Sequence, residues 1–408
     1  MDKSRDGQLP VLKLSLLFSL YFAQGLPSGF LAHTLPALMR VQGVSLEYIG
    51  LIKLLALPWV LKFLWAPYVD RIGLRSLGPN KTWIISMQLL LGMLMFVVSF
   101  SSEHQMFGTF LLIFLFGVVL VNLASATQDI ATDGLAVNLL PIKMRGLVNS
   151  IQVSGFKVGM ILTSSLMLLG FEYLGWSTSF RLLALMMMLL MIPAMLYKPL
   201  LAAVSVTEKT EYSIYKTYLG FFRQAKIWQW ILVLCTYKFS DALGSAMIKP
   251  MLVDQGFSLS DLAEITFYSS IVGLLGAVAA GGLFYRYGAK KLLLGAGALQ
   301  AVGIASYALI VEHTKFDGLI YSISMFEQFV DGLSTVALFS VMMSQCRLSH
   351  EGADYTVQAS LLVLLSGLVG VFSGLLASSI GFQSLFLFSG MAGLLALLPV
   401  MFYYKNNC

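Results

Sequence analysis

The sequence predicts an all-α polytopic membrane protein, with about twelve transmembrane helices in two six-helix bundles. Three observations carry this. Of 408 residues, 58% are apolar and only 11% charged, against about 25% charged in soluble proteins. The apolar residues form long continuous runs, which excludes a β-barrel with its short alternating segments. The runs also repeat: Gln42-Gly43-Val44-Ser45-Leu46 after the first recurs as Gln255-Gly256-Phe257-Ser258-Leu259 after the seventh.

Hydropathy and turn residues place the spans near 11–35, 46–69, 82–101, 106–138, 147–170, 178–198, 227–248, 262–284, 292–311, 318–345, 355–378 and 384–404. The first run lacks a small-residue cleavage site behind it and reads as a span rather than a signal peptide. The longest polar stretch divides the chain into a bundle over 1–198, a linker over 199–226 and a bundle over 227–408. Of 26 Lys and Arg, eighteen fall in loops on the side of the termini, four on the opposite side and four within spans. That bias puts both termini in the cytoplasm and makes the net charge of +6 a topology signal, not a nucleic-acid signal. Cys235, Cys346 and Cys408 are too dispersed for a disulfide framework or a zinc site.

Charge inside the apolar runs is the functional signal, because ionisable groups at membrane depth are costly and mark transport pathways or proton relays. In the fourth span Gln128, Asp129 and Asp133 follow an apolar run. Asp129 and Lys157 each lie fourteen residues from Lys143 at the intervening turn. Two antiparallel helices would bring both to the same depth, about 20 Å from the turn, and this predicts an ion pair. Lys53 sits inside the second span and reads as cavity-facing, whereas Lys62 is close enough to the cytoplasmic end to snorkel. Lys238 and Asp241 share one face of the seventh span and can pair with each other. Glu327 and Asp331 share a face of the tenth span, and no lysine of the eleventh span lies across from them. That makes Glu327, with Asp331, Asp133 and Asp241, a candidate for carrying a coupled proton. His33 reads as a satisfied hydrogen-bonder. Gly155 and Gly159, and Gly370 and Gly374, are spaced for close helix contact. Tyr21, Gln24, Trp59 and Tyr237 join Lys53, Gln128, Asp129, Lys157 and Lys238 as candidate substrate ligands.

The loop Asp70-Arg71-Ile72-Gly73-Leu74-Arg75, and its second copy through Tyr285, Arg286, Gly288 and Lys290, resemble the gating loop of the major facilitator superfamily. Tyr21-Phe22-Ala23-Gln24-Gly25-Leu26-Pro27, Leu57-Pro58-Trp59 through Trp65-Ala66-Pro67, and Ala126-Thr127-Gln128-Asp129 through Asp133 are similar to a narrower branch. That branch holds the anhydromuropeptide permease and the acetyl-coenzyme A transporter. Within it the chain most resembles siderophore permeases of the rhizobactin/pyochelin type. Muropeptide members generally carry extra C-terminal spans, and this sequence ends after about twelve. The resemblance implies uptake across a bacterial inner membrane. A monomer is expected. Since no nucleotide-binding domain is present and the carboxylates and lysines within spans can titrate, protons are the expected coupling ion. Its expected cargo is an anionic ferric siderophore, with a muropeptide or a coenzyme A ester as the alternative. His-Glu-x-x-His, Gly-x-Ser-x-Gly and phosphate-loop motifs are lacking, so catalysis, a resident metal and a cofactor are not expected.

Overall fold

The computed structural model describes residues 3–35, 38–39, 55, 57–197, 214–312 and 317–405. Lys53 lies outside the described residues, as do the Gln42–Leu46 repeat and the side chain of His33. The regular elements are helical throughout. They are α1 (Lys3–Gly29), α2 (Leu57–Leu61), α3 (Ala66–Arg71), α4 (Pro79–Val98), α5 (Glu103–Phe107), α6 (Leu111–Leu139) and α7 (Arg145–Tyr173). They continue with α8 (Gly175–Leu196), α9 (Ile214–Phe222), α10 (Ile227–Tyr237), α11 (Phe239–Asp254), α12 (Leu259–Glu312), α13 (Asp317–Ser344), α14 (Glu351–Leu395) and α15 (Leu397–Lys405).

Several elements do not coincide one to one with the expected spans. The long α12 and α14 are each two membrane helices, turned at Gly288 (φ 77°) and Gly381 (φ 78°). Gly78 (φ 76°) stands in the same way before α4, and Gly175 (φ 77°) is the first residue of α8. Each of these four turns needs a left-handed residue, and glycine adopts that conformation without a Cβ clash. They open the third and sixth spans of both bundles, a repeat invisible to hydropathy. Spans two and seven are interrupted instead of continuous. A 3₁₀ turn, Lys62–Leu64, follows α2, and Lys238 separates α10 from α11. Both breaks fall on a lysine.

The chain folds as two compact units. The first contains residues 1–140, 154–218 and 346–360, and the second 141–153, 219–345 and 361–408. The core of the first unit is aromatic: Phe107 packs edge-on to Trp176 at 5.7 Å, and Phe30 edge-on to Phe180 at 5.4 Å. The core of the second gathers Met251, Ile304, Tyr307, Ile323 and Phe386. Outward faces carry exposed Leu, Val and Phe, such as Leu112, Phe116, Val371 and Phe372, as helices facing hydrocarbon require.

Close packing of α1 on α7 depends on the expected glycines. A Cβ on Gly159 would lie 2.9 Å from Gly25 Cα. Gly370 and Gly374 do not behave this way: a Cβ there meets nothing nearer than 3.9 Å, at Ala246 and Met247. In the second unit the close approach is made by Gly276 against Phe329 and by Gly332 against Ala277.

Candidate functional site: two buried charge centres

Each unit sets a lysine against carboxylates, buried at Lys62 and half-buried at Lys238. In the first, Lys62 is buried and pairs with Asp129 of α6. Trp59 and Trp65 flank it at i−3 and i+3. Their indole N–H groups donate to Asn122 Oδ1 and Thr127 Oγ1 of α6, both at 3.1 Å. These two bonds fasten span two along α6 and deliver Lys62 to the carboxylate. The Trp59 ring lies 5.4 Å from the Lys62 ammonium, a cation–π distance. One turn along α6, Asp133 accepts a hydrogen bond of 2.8 Å from the Tyr21 hydroxyl of α1. Gln24 and Gln128 are buried, and among the described residues no polar atom of either side-chain amide has a protein partner. An unmade buried hydrogen bond costs about 1–3 kcal/mol.

In the second unit, the Lys238 ammonium donates to Asp331 Oδ1 at 2.7 Å, Ser334 Oγ at 2.7 Å and Gln300 Oε1 at 3.1 Å. Asp241 Oδ2 stands 3.7 Å away. Ser334 donates to Gln300 Oε1, and Thr335 Oγ1 donates to Asp331 at 3.2 Å. Glu327 is 1% exposed. Its Oε2 accepts from Gln328 Nε2 at 3.0 Å, and its Oε1 has no partner among the described residues. Three carboxylates thus face one ammonium.

Several expectations change. Asp129 pairs with Lys62 and not with Lys157, because equal depth on two helices does not fix azimuth. Lys62 does not snorkel, since the 3₁₀ turn redirects it inward. Lys238 binds Asp331 more closely than its helix neighbour Asp241, so the tenth-span acids do have a lysine, supplied by span seven. The Tyr237 hydroxyl is committed to the Leu293 carbonyl at 2.9 Å and its ring to Gly297, which makes it a packing residue. Lys157 is half-buried. Gln300 and Ser334 were missed, as were Asn122 and Thr127. A polar residue in an apolar run was their only signal, and many such residues merely bond their own helix, as Ser306 does.

The gating-loop residues divide by role. Asp70 accepts backbone N–H bonds from Gly352 at 3.0 Å and Ala353 at 2.7 Å, capping the first turn of α14. Arg347 fastens the same segment through Asp354 (2.7 Å) and the Thr217 carbonyl (2.8 Å). Gly73 backs onto Pro79, whose nitrogen would lie 2.9 Å from an added Cβ. Arg71, Arg75 and Lys290 are exposed, and Arg286 lies over the Tyr287 ring at 5.3 Å. Burial raises the Asp70 carboxyl to about 7, against two backbone hydrogen bonds that lower it. A value raised in the docked state means docking takes up a proton. The contribution is full at low pH and is lost as pH rises through about 7. Hydrogen exchange at the Gly352 and Ala353 amides should therefore slow, beyond its intrinsic pH dependence, as pH is lowered through that value. Asp70→Ala should speed exchange about 2- to 30-fold, the loss of a cap worth about 0.5–2 kcal/mol. Unchanged protection in the variant would show that the cap does not hold the segment.

With this geometry in place, comparison with known proteins is informative. The family described as Acetyl-coenzyme A transporter 1 matches residues 13–173. The Anhydromuropeptide permease of Escherichia coli (strain K12) is 29% identical over 396 residues, 95% of this chain and 79% of the permease. The Putative transporter AmpG 4 of Rickettsia conorii is 24% identical over 405 residues, 96% of each. Among solved structures, the human organic anion transporter MFSD10 superposes with a TM-score of 0.75 at 14% identity, covering 98% of this chain and 100% of that one. The E. coli Fucose:proton symporter FucP gives 0.72 at 15%, covering 96% and 98%. At such identities the likeness shows the fold, which is that of major facilitator transporters. The expectation of siderophore import and iron uptake is overturned, because the named relatives are a muropeptide permease and an acetyl-coenzyme A transporter. Length did not discriminate, since the E. coli permease matches 95% of this chain despite its own greater length.

Proposed function

We propose that this chain, a polytopic transporter with the major facilitator fold, is a proton-coupled permease for an anhydromuropeptide. It works by alternating access in a bacterial inner membrane, with both termini in the cytoplasm. The observation that carries the reading is the likeness to the E. coli permease over 95% of this chain and 79% of the permease, supported by the polar inventory of the first unit. A muropeptide joins a sugar to a short peptide and so presents hydroxyls, amides and carboxylates. Gln24 and Gln128 offer unpartnered amides, Tyr21 and Trp59 offer aromatic faces, and Asp129 and Lys157 offer charge of both signs. Asp133, Asp241, Glu327 and Asp331 are the groups proposed to handle protons.

Purified protein in proteoliposomes, given an inward proton gradient, should accumulate labelled anhydromuropeptide, and a protonophore should abolish the accumulation. Uptake of labelled acetyl-coenzyme A without uptake of muropeptide would overturn the substrate assignment in favour of the family matched over residues 13–173. Muropeptide accumulation that persists with the protonophore would remove the proton coupling.

A further inference from the structure

The 3₁₀ turn Lys62–Leu64 sets Lys62 against Asp129, so whatever holds that turn positions the first charge centre. Pro67 lies four residues beyond Phe63. Proline has no N–H, so the Phe63 carbonyl lacks the donor that a continuous α-helix would supply. A donor comes from the linker instead: the Tyr218 hydroxyl of α9 donates to the Phe63 carbonyl. The two rings meet edge to face, with centroids 6.4 Å apart. Tyr218 is half-buried and packs on the core that contains Ala66, Val69 and Ala353. Its neighbour Thr217 is buried, and the Thr217 carbonyl accepts from the Arg347 guanidinium at 2.8 Å. Tyr215 and Lys216 of the same helix are exposed. Two consecutive residues therefore dock this end of α9, one on span two and one on the residue that also holds Asp354 of α14. All of these residues belong to the first unit. The indoles of Trp59 and Trp65 tie span two to α6 on either side of Lys62. The Tyr218 bond ties the backbone of the turn itself.

We infer that Tyr218 is a positioning residue for the first charge centre. It supplies the donor that Pro67 withholds from the Phe63 carbonyl, fixes the turn, and so keeps the Lys62 ammonium on Asp129. The linker thereby reaches the charge centre through one hydroxyl, without touching the lysine. Phenylalanine at this position keeps the ring against Phe63 and removes only the O–H. The turn then loses its donor, and Lys62 leaves Asp129 more often. The positioning does not rest on the permease reading above; its effect on muropeptide uptake does.

The test follows reductive methylation of lysines by peptide mass spectrometry, on substrate-free protein in detergent. Lys62 is compared with Lys238 of the second unit, which has no part in this tie. In Tyr218→Phe the Lys62 rate should rise about 5-fold, the effect of one lost hydrogen bond, with the Lys238 rate unchanged. Pro67→Ala restores an N–H four residues beyond Phe63. Adding Tyr218→Phe to that background should change the Lys62 rate by less than about 2-fold, because the carbonyl has its own donor. An unchanged Lys62 rate in Tyr218→Phe overturns the inference. A parallel rise at Lys238 overturns it too, as general loosening of the protein. An equal rise in the Pro67→Ala background also overturns it, because the hydroxyl would then act somewhere other than the Phe63 carbonyl. Tyr218→Phe decides by itself if the Pro67→Ala protein does not fold. Uptake separates the two readings: a wild type that carries no muropeptide removes the substrate assignment and leaves the labelling result standing.

Discussion

Lys62→Met should lose most of its folded yield, and Lys62→Met/Asp129→Asn should recover much of it. Lys62 and Asp129 form an ion pair at membrane depth, with side chains 4% and 11% exposed. Removing one partner strands the other, at a cost of about 3–5 kcal/mol. Neutralising both removes the stranded charge and leaves the Trp59–Asn122 and Trp65–Thr127 hydrogen bonds in place. Asp133 lies one turn away, but it already holds the Tyr21 hydroxyl. Asp129→Asn alone should be nearly as damaging as Lys62→Met, because it strands the ammonium instead. The check is a double-mutant cycle on monodisperse protein recovered after extraction. Additive losses would show that the pair is not a unit. Lys157→Met should leave the Lys62–Asp129 pair in place.

Glu327→Gln should abolish uphill accumulation by proton gradient while leaving substrate exchange across the membrane near the wild-type rate. Glutamine keeps the shape of the side chain and the contact with Gln328, whose partner atom is Glu327 Oε2, but it cannot release a proton in each cycle. Loss of coupling removes accumulation altogether, so the effect on concentration ratio is total rather than partial. The charge inventory favours this residue over its neighbours. Asp331 is engaged by Lys238 and Thr335, whereas Glu327, at 1% exposure, has an oxygen with no partner among the described residues. Asp331→Asn should behave differently, destabilising the protein by removing the closest counter-charge of Lys238 and leaving it only Asp241 at 3.7 Å. Proton-driven accumulation at near-normal rate in purified Glu327→Gln would assign Glu327 a packing role.

The comparison of Asp129 with Glu327 shows where reading residues in order stops. Both acids were visible because a charge in an apolar run is expensive whatever its neighbours. Their i, i+4 companions, Asp133 and Asp331, were visible because helix periodicity puts residues four apart on one face. Counting from a turn gives depth at about 1.5 Å per residue. Partnership also needs azimuth, which turns by about 100° per residue and is lost wherever a helix breaks. The breaks at Lys62–Leu64 and at Lys238 redirect the two lysines that complete the charge centres. No propensity marks either position, since lysine is an ordinary helix former.

By itself, the sequence determined that this is a membrane protein of two repeated helical bundles. It also determined which carboxylates lie at membrane depth, and that Gly155 and Gly159 admit a close neighbour. Those properties follow from transfer free energies and local periodicity, which each residue carries with it. Tertiary structure alone decided that Lys62 holds Asp129, that Lys238 crosses to Asp331, and that Gln24 and Gln128 are left with unpartnered amides. It also decided that Asp70 caps α14. Each of these joins residues at least 60 positions apart or depends on what surrounds a side chain in space. Such pairings are selected when whole helices pack, by the cost of leaving a buried charge or amide without a partner.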